Sequence, residues 1–88
     1  MITINNHVFV KLLIPEIDQS FDIYLPINKK IGNIINLINE AISEMTNGEM
    51  IKSKSNKLYN KNTLEKYNPD TLLYNTNIRN GSVLILLS

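Results

Sequence analysis

Residues 31–45, Ile31-Gly-Asn-Ile-Ile-Asn-Leu-Ile-Asn-Glu-Ala-Ile-Ser-Glu-Met45, decide how the rest of the chain is arranged. At 3.6 residues per turn, Ile31, Ile34, Ile35, Leu37, Ile38, Ala41, Ile42 and Met45 fall within an arc of roughly 160°. Gly32, Asn33, Asn36, Asn39, Glu40, Ser43 and Glu44 fill the remainder. This spacing predicts one amphipathic helix over about residues 29–46. No other stretch has the same period, so the apolar stripe has to be covered by strands drawn from the segments before and after it.

Those segments carry strand signals. His7 to Ile14 is rich in β-branched and aromatic residues and stops at Pro15, which cannot continue a paired strand. Ser20 to Leu25 alternates, placing Phe21, Ile23 and Leu25 on one face and Asp22 and Tyr24 on the other. The short Pro15–Gln19 connection predicts an antiparallel hairpin. Asn28 is the expected N-cap of the helix, which leaves Lys29 and Lys30 at the end where the helix dipole disfavours cations. Asn47-Gly48 is the expected stop.

After the helix, Met50–Lys54 and Lys57–Tyr59 read as two short strands. Asn60 to Asn77 reads as loop with single helical turns, in which Leu64 with Tyr67 and Leu72 with Leu73 plug the core. Ile78-Arg79-Asn80-Gly81 makes a turn into Val83–Leu87, an apolar run suited to a central strand. A helix joining the hairpin to the later strands lets the first and last strands lie side by side, because parallel neighbours need a crossover. The expected fold is therefore α+β, a β-grasp with a mixed sheet of four to five strands packed on one helix, formed by residues 1–88 as a single domain.

Composition narrows the chemistry. The 88 residues are 43% hydrophobic and 19% charged, a globular balance near the lower size limit for a self-sufficient core. The absence of cysteine removes disulfides, thiolate metal sites and a cysteine nucleophile. No apolar run is long enough to span a membrane and the N-terminus lacks a signal-peptide layout, so a cytoplasmic protein is expected. A net charge of +1 gives no reason to expect a polyanion partner. The 14 asparagines read as compositional drift, since asparagine does not titrate.

The order and spacing of the core positions resemble ubiquitin and, more closely, the YukD/EsaB ubiquitin-like proteins of Gram-positive type VII (WXG100) secretion. Phe9-Val10-Lys11, Asp22-Ile23-Tyr24-Leu25-Pro26-Ile27, Ile31/Ile34/Ile38, Leu73, Ile78-Arg79-Asn80-Gly81 and Leu84/Leu86 carry the resemblance, nearly end to end. The Asn60–Thr71 loop departs from it by its length. The resemblance implies an accessory role at the cytoplasmic side of the secretion machine, with cytoplasmic domains of apparatus subunits as partners. Conjugation is not implied, because the last glycine is Gly81 and no Gly-Gly tail follows. The chain also lacks tryptophan and a helical hairpin, so it does not resemble a WXG100 substrate.

Catalytic, cofactor and metal residues are not expected. His7, the only histidine, has no evident triad or metal partners, and Asp18 and Asp22 read as turn and wet-face residues, not an acid/base pair. Two surfaces remain. Alternation turns Val83, Ile85 and Leu87 away from the helix, which suits protein docking, with the long loop or a second copy as the other possible covers. Lys52, Lys54, Lys57, Lys61 and Lys66, with Tyr59 and Tyr67 between them, suit either nucleic acid or the protection of edge strands against pairing. The small net charge favours edge protection.

Overall fold

A computed structural model describes residues 6–45 and 56–88. The expected helix stop at Asn47-Gly48, the strand at Met50–Lys54, and Lys52 and Lys54 themselves lie outside these residues. In chain order the elements are strand β1 (His7–Ile14), a 3-10 turn (Pro15–Ile17), strand β2 (Gln19–Pro26), helix α1 (Ile31–Met45), strand β3 (Lys57–Asn60), a 3-10 turn (Leu73–Asn75) and strand β4 (Val83–Leu87).

The four strands form one sheet in the order β2-β1-β4-β3. β1 and β2 pair antiparallel from His7 opposite Pro26 to Ile14 opposite Gln19. β4 runs parallel to β1, with Leu12 beside Leu84, and β3 lies antiparallel on its far side, with Leu58 beside Leu86. The first and last strands are thus neighbours at the centre, a parallel pairing that the helical crossover makes possible. β2 runs one residue further at each end than alternation alone suggested, and Pro26 is accommodated because this is an edge strand.

Val10, Leu12 and Ile14 of β1, Leu25 of β2, Leu58 of β3 and Leu84 and Leu86 of β4 meet Ile31, Ile34, Ile38 and Ile42 of α1 in one buried cluster, closed by Leu73 and Ile78 from the long loop. Removing each such aliphatic side chain from water contributes about 1.5–3 kcal/mol.

Three details of α1 differ from the reading of its period. Asn39 is buried, whereas Leu37 is 46% exposed and Met45 is 62% exposed. The stripe is rotated toward β3, because Asn39 is held there by Asn56, whose Nδ2 donates to Asn39 Oδ1 at 2.8 Å. The N-cap is not Asn28. The carbonyl of Lys30 accepts the first intrahelical bond, from Ile34 N–H, while the amides of Ile31 and Gly32 donate to the carbonyls of Thr71 and Pro69 at 2.9 Å. Loop carbonyls thus fill the place of a side-chain cap. Lys29 and Lys30 therefore precede the helix and do not oppose its dipole from within. Gly32 permits this approach: a Cβ there would stand 3.2 Å from the Pro69 carbonyl oxygen.

The long loop is tied down by its own polar groups. Tyr67 N–H donates to Leu58 O and Asn60 N–H to Glu65 O, each at 2.9 Å. Leu73, fully buried in its 3-10 turn, plugs the core as expected. Leu64 does not: it is 68% exposed at φ 60°. The loop turns back sharply there, with Leu64 N–H donating to Asn60 O at 2.7 Å, and the left-handed backbone carries the side chain outward.

Candidate protein-docking face

The side of the sheet away from α1 is assembled from residues that alternate with the core. Leu84 and Leu86 are buried against the helix, which turns Val83, Ile85 and Leu87 to the opposite face. Val83 and Ile85 are half-buried and Leu87 is 36% exposed. The register explains the gradient. Ile85 lies between Leu13 of β1 and Tyr59 of β3, so flanking side chains cover part of it. Val83 stands beside Lys11, and Leu87 stands beside Lys57 near the end of the pairing. The result is an aliphatic row crossed by a Leu13-Ile85-Tyr59 bar, with lysines at its borders.

Further along the same face, the rings of Phe9 and Tyr24 stack at a tilt, with centroids 5.1 Å apart. Phe9 is fixed by a hydrogen bond from its N–H to Asn80 Oδ1 at 2.8 Å, which ties β1 to the turn before β4. Apolar and aromatic groups of this kind, set among charges, can hold a protein surface by burial with a polar rim.

The lysines are partly gathered. Lys57, Lys61 and Lys66 are exposed, and Lys66 bridges to Tyr59 on the outer side of β3. The three described lysines of the five thus lie on, just after and beside the edge strand β3. Tyr67 does not join them as a stacking surface. It is buried, with its O–H donating to Asn77 Oδ1 at 2.6 Å and its oxygen accepting from Asn60 Nδ2 at 3.1 Å. Burial pushes its phenol above the usual tyrosine value; the hydrogen bond from Asn60 pulls the other way and the nearby Glu65 carboxylate adds to the rise.

His7 opens β1, exposed and opposite Pro26. Asp18 sits in the hairpin turn at φ 52°, its N–H donating to Pro15 O, whereas Asp22 is on β2 opposite Lys11. Among the described residues no group of three or more His, Cys, Asp or Glu side chains could hold a metal ion. No helix among them is long and apolar enough to cross a membrane.

Sequence reasoning missed two features. The asparagines are not drift alone: Asn39, Asn60, Asn68, Asn77 and Asn80 each accept a hydrogen bond that fixes a turn or joins two elements. For Asn60, Asn68, Asn77 and Asn80 the position in or beside turns was the available signal, whereas Asn39, inside α1, carried none. The second is an apolar groove of about 280 Å³ between α1 and β2, lined by Ile23, Leu25, Leu37, Ala41 and Met45 among others. It exists because Leu37 and Met45 are rotated out of the core.

No family model matches the chain, and no curated protein matches it by sequence. Solved structures match by shape. A chain from a structure on molecular mimicry of SUMO in promoting DNA repair superposes with a TM-score of 0.73 at 8% identity, covering 98% of this chain and 96% of that one. The ubiquitin-like domain of the Mycobacterium tuberculosis type VII secretion system protein EccD1 superposes at 0.69 with 16% identity, covering 93% and 98%. A chain of the MycP5-free ESX-5 inner membrane complex superposes at 0.68 with 12% identity, covering 94% of this chain but 21% of that one. At such identities the likeness speaks to the fold, and with the sheet order and helical crossover it shows that the chain has the ubiquitin-like β-grasp fold.

Proposed function

We propose that this chain is an accessory protein of a type VII secretion system, of the YukD/EsaB kind, which works at the cytoplasmic side by protein contact and not by catalysis. The observation that carries the reading is the row Val83, Ile85 and Leu87 on the sheet face opposite the helix, joined to Leu13 and Tyr59 across three strands. The sequence resemblance named above supports the choice of system. The EccD1 domain and the ESX-5 chain agree with it in fold. The partners are then cytoplasmic domains of the secretion apparatus.

Ile85→Glu tests this. A carboxylate in the middle of the row leaves the buried face of β4 untouched and sets an unpaired charge in the contact. The substituted chain should keep its circular dichroism spectrum and lose capture of the apparatus domains in a pull-down. Undiminished capture by a folded variant removes this face from the account.

A second reading is favoured by Lys57, Lys61 and Lys66 standing exposed around the β3 edge: a surface for nucleic acid. Such binding weakens steeply with salt as counterions are released. Absence of binding to single- or double-stranded oligonucleotides at low salt eliminates it.

A further inference from the structure

The two edges of the sheet are finished differently. β3 is four residues long, and the chain itself occupies its outer side: Leu58 O accepts from Tyr67 N–H, Asn60 N–H donates to Glu65 O, and Lys66 bridges to Tyr59. β2 is eight residues long and holds no lysine or arginine. Its only proline, Pro26, is at the end. Lysines, internal prolines, bulges and covering loops are the devices that keep an edge from pairing. β3 has two of them, whereas β2 lacks the first two along its length.

No described strand pairs with the outer side of β2, and which of its backbone groups point there follows from hydrogen bonds elsewhere. Phe9 N–H donates to Asn80 Oδ1 and Phe9 O accepts from Gly81 N–H, both at 2.8 Å, and Lys11 N–H donates to Ser82 O at 3.0 Å. The backbones of Phe9 and Lys11 thus face β4, so Tyr24 and Asp22, their partners on β2, are in non-hydrogen-bonded pairs. The backbone groups of Tyr24 and Asp22 therefore project off the edge, as do those of Ser20 and, through its carbonyl alone, Pro26.

We propose that β2 pairs antiparallel with β2 of a second copy of this chain about a twofold axis, joining two sheets into one. One register uses every outward group. Asp22 stands opposite the second copy's Tyr24 and the reverse, each pair exchanging two bonds, while Ser20 N–H donates to the second copy's Pro26 O. The proline that lacks an N–H thus occupies a position where only its carbonyl is needed. The register centred on Asp22 is disfavoured because it sets two carboxylates directly opposite one another.

Charge selects a second copy over an unrelated strand. β2 is preceded by Asp18 and followed by Lys29 and Lys30, so its two ends carry opposite sign, while Glu16 is turned toward Ser88 beyond β4. An antiparallel twofold brings the basic end of each copy to the acidic end of the other, the self-complementarity an isologous interface requires. The axis passes beside Ile23, which lines the apolar groove with Leu37, Ala41 and Met45. The two Ile23 side chains become close neighbours on the helix side, and the grooves of both copies adjoin. This surface is distinct from the row around Ile85.

The chain has no cysteine, which makes the test clean. Ile23→Cys places two thiols in a non-hydrogen-bonded antiparallel pair, where Cα atoms stand about 4.5 Å apart, within the range a disulfide spans. Under mild oxidation Ile23→Cys should convert to a disulfide-linked dimer, while Lys57→Cys on β3 stays monomeric. In sedimentation, the unsubstituted chain should shift to the two-chain mass with rising concentration, and Tyr24→Pro, which deletes an outward N–H, should return it to the one-chain mass. If Tyr24→Pro does not fold, the cross-linking comparison decides alone. A chain that remains monomeric at high concentration, equal cross-linking by the two cysteine variants, or a dimer that survives in folded Tyr24→Pro overturns the proposal. Capture of an extended peptide by the β2 edge of a monomeric chain overturns it equally. Ile85→Glu should leave the dimer intact, so its loss of apparatus binding and the failure of self-pairing are separable results.

Discussion

Asn56 donates a hydrogen bond of 2.8 Å from its side-chain amide to Oδ1 of Asn39, which is 6% exposed on the inner side of α1. The bond links the helix to the residue just before β3 and fixes the rotation that leaves Leu37 and Met45 outside the core. Asn39→Ala removes the acceptor and leaves the Asn56 amide short of a partner in a half-buried position, which should cost about 1–3 kcal/mol. Urea unfolding followed by circular dichroism measures it.

Leu64 is a bulky residue held at φ 60° with little burial in return. The left-handed conformation costs an L-residue roughly 1–2 kcal/mol, part of which glycine regains before its own greater unfolded-state entropy is counted. Leu64→Gly should therefore raise the midpoint of urea unfolding slightly, by about 0.5 kcal/mol of stability. Asp18, also at positive φ, is a residue type that tolerates this region, so the same gain is not expected there.

Tyr67 couples stability to alkaline pH. Burial raises the phenol above its ordinary value of 10.0, so the folded state holds the proton more tightly than the unfolded chain does. The contribution is fully present below the unfolded value of about 10 and is lost as pH rises from there through the folded value. Thermal scans between neutral and strongly alkaline pH should show a fall in Tm above about pH 10 that is smaller in Tyr67→Phe. The substitution also leaves Asn60 and Asn77 without their shared hydroxyl, so its neutral-pH stability should drop by about 1 kcal/mol.

Ile38, 3% exposed, sits at the middle of α1 within the buried cluster between helix and sheet. Ile38→Ala should cost about 2–5 kcal/mol through lost burial and the cavity left behind. Against a total stability of about 5–15 kcal/mol, the cooperative unfolding transition of this small domain should shift far toward lower denaturant or vanish.

The fold was legible because its strongest signals are periodic. The 3.6-residue spacing of Ile31, Ile34, Ile38 and Ile42, the alternation of Phe21, Ile23 and Leu25, and the apolar Val83–Leu87 run each have one satisfactory partner. Only a helix crossing between paired terminal strands provides all three. What escaped was determined by contacts distant in sequence. No local pattern says that the carbonyls of Pro69 and Thr71 will cap α1 in place of Asn28, or that Asn56 will draw Asn39 inward. The outward direction of Ile85 followed from alternation with Leu84 and Leu86. The half-burial that Leu13 and Tyr59 give it required the register. The groove beside β2 was invisible for the same reason as the cap, since it depends on a rotation of the helix, seen in exposed Leu37 and Met45 and buried Asn39, that the apolar period does not specify.

The claim that the sheet face around Ile85 is where partners dock is tested most directly by amide chemical-shift mapping. A cytoplasmic domain of the type VII apparatus is titrated into the isotopically labelled chain. The account predicts shifts clustered at Leu13, Tyr59, Val83, Ile85 and Leu87, with the exposed side of α1, at Asn33, Asn36 and Glu40, unmoved. Shifts confined to α1 while the Ile85 row stays silent would contradict it.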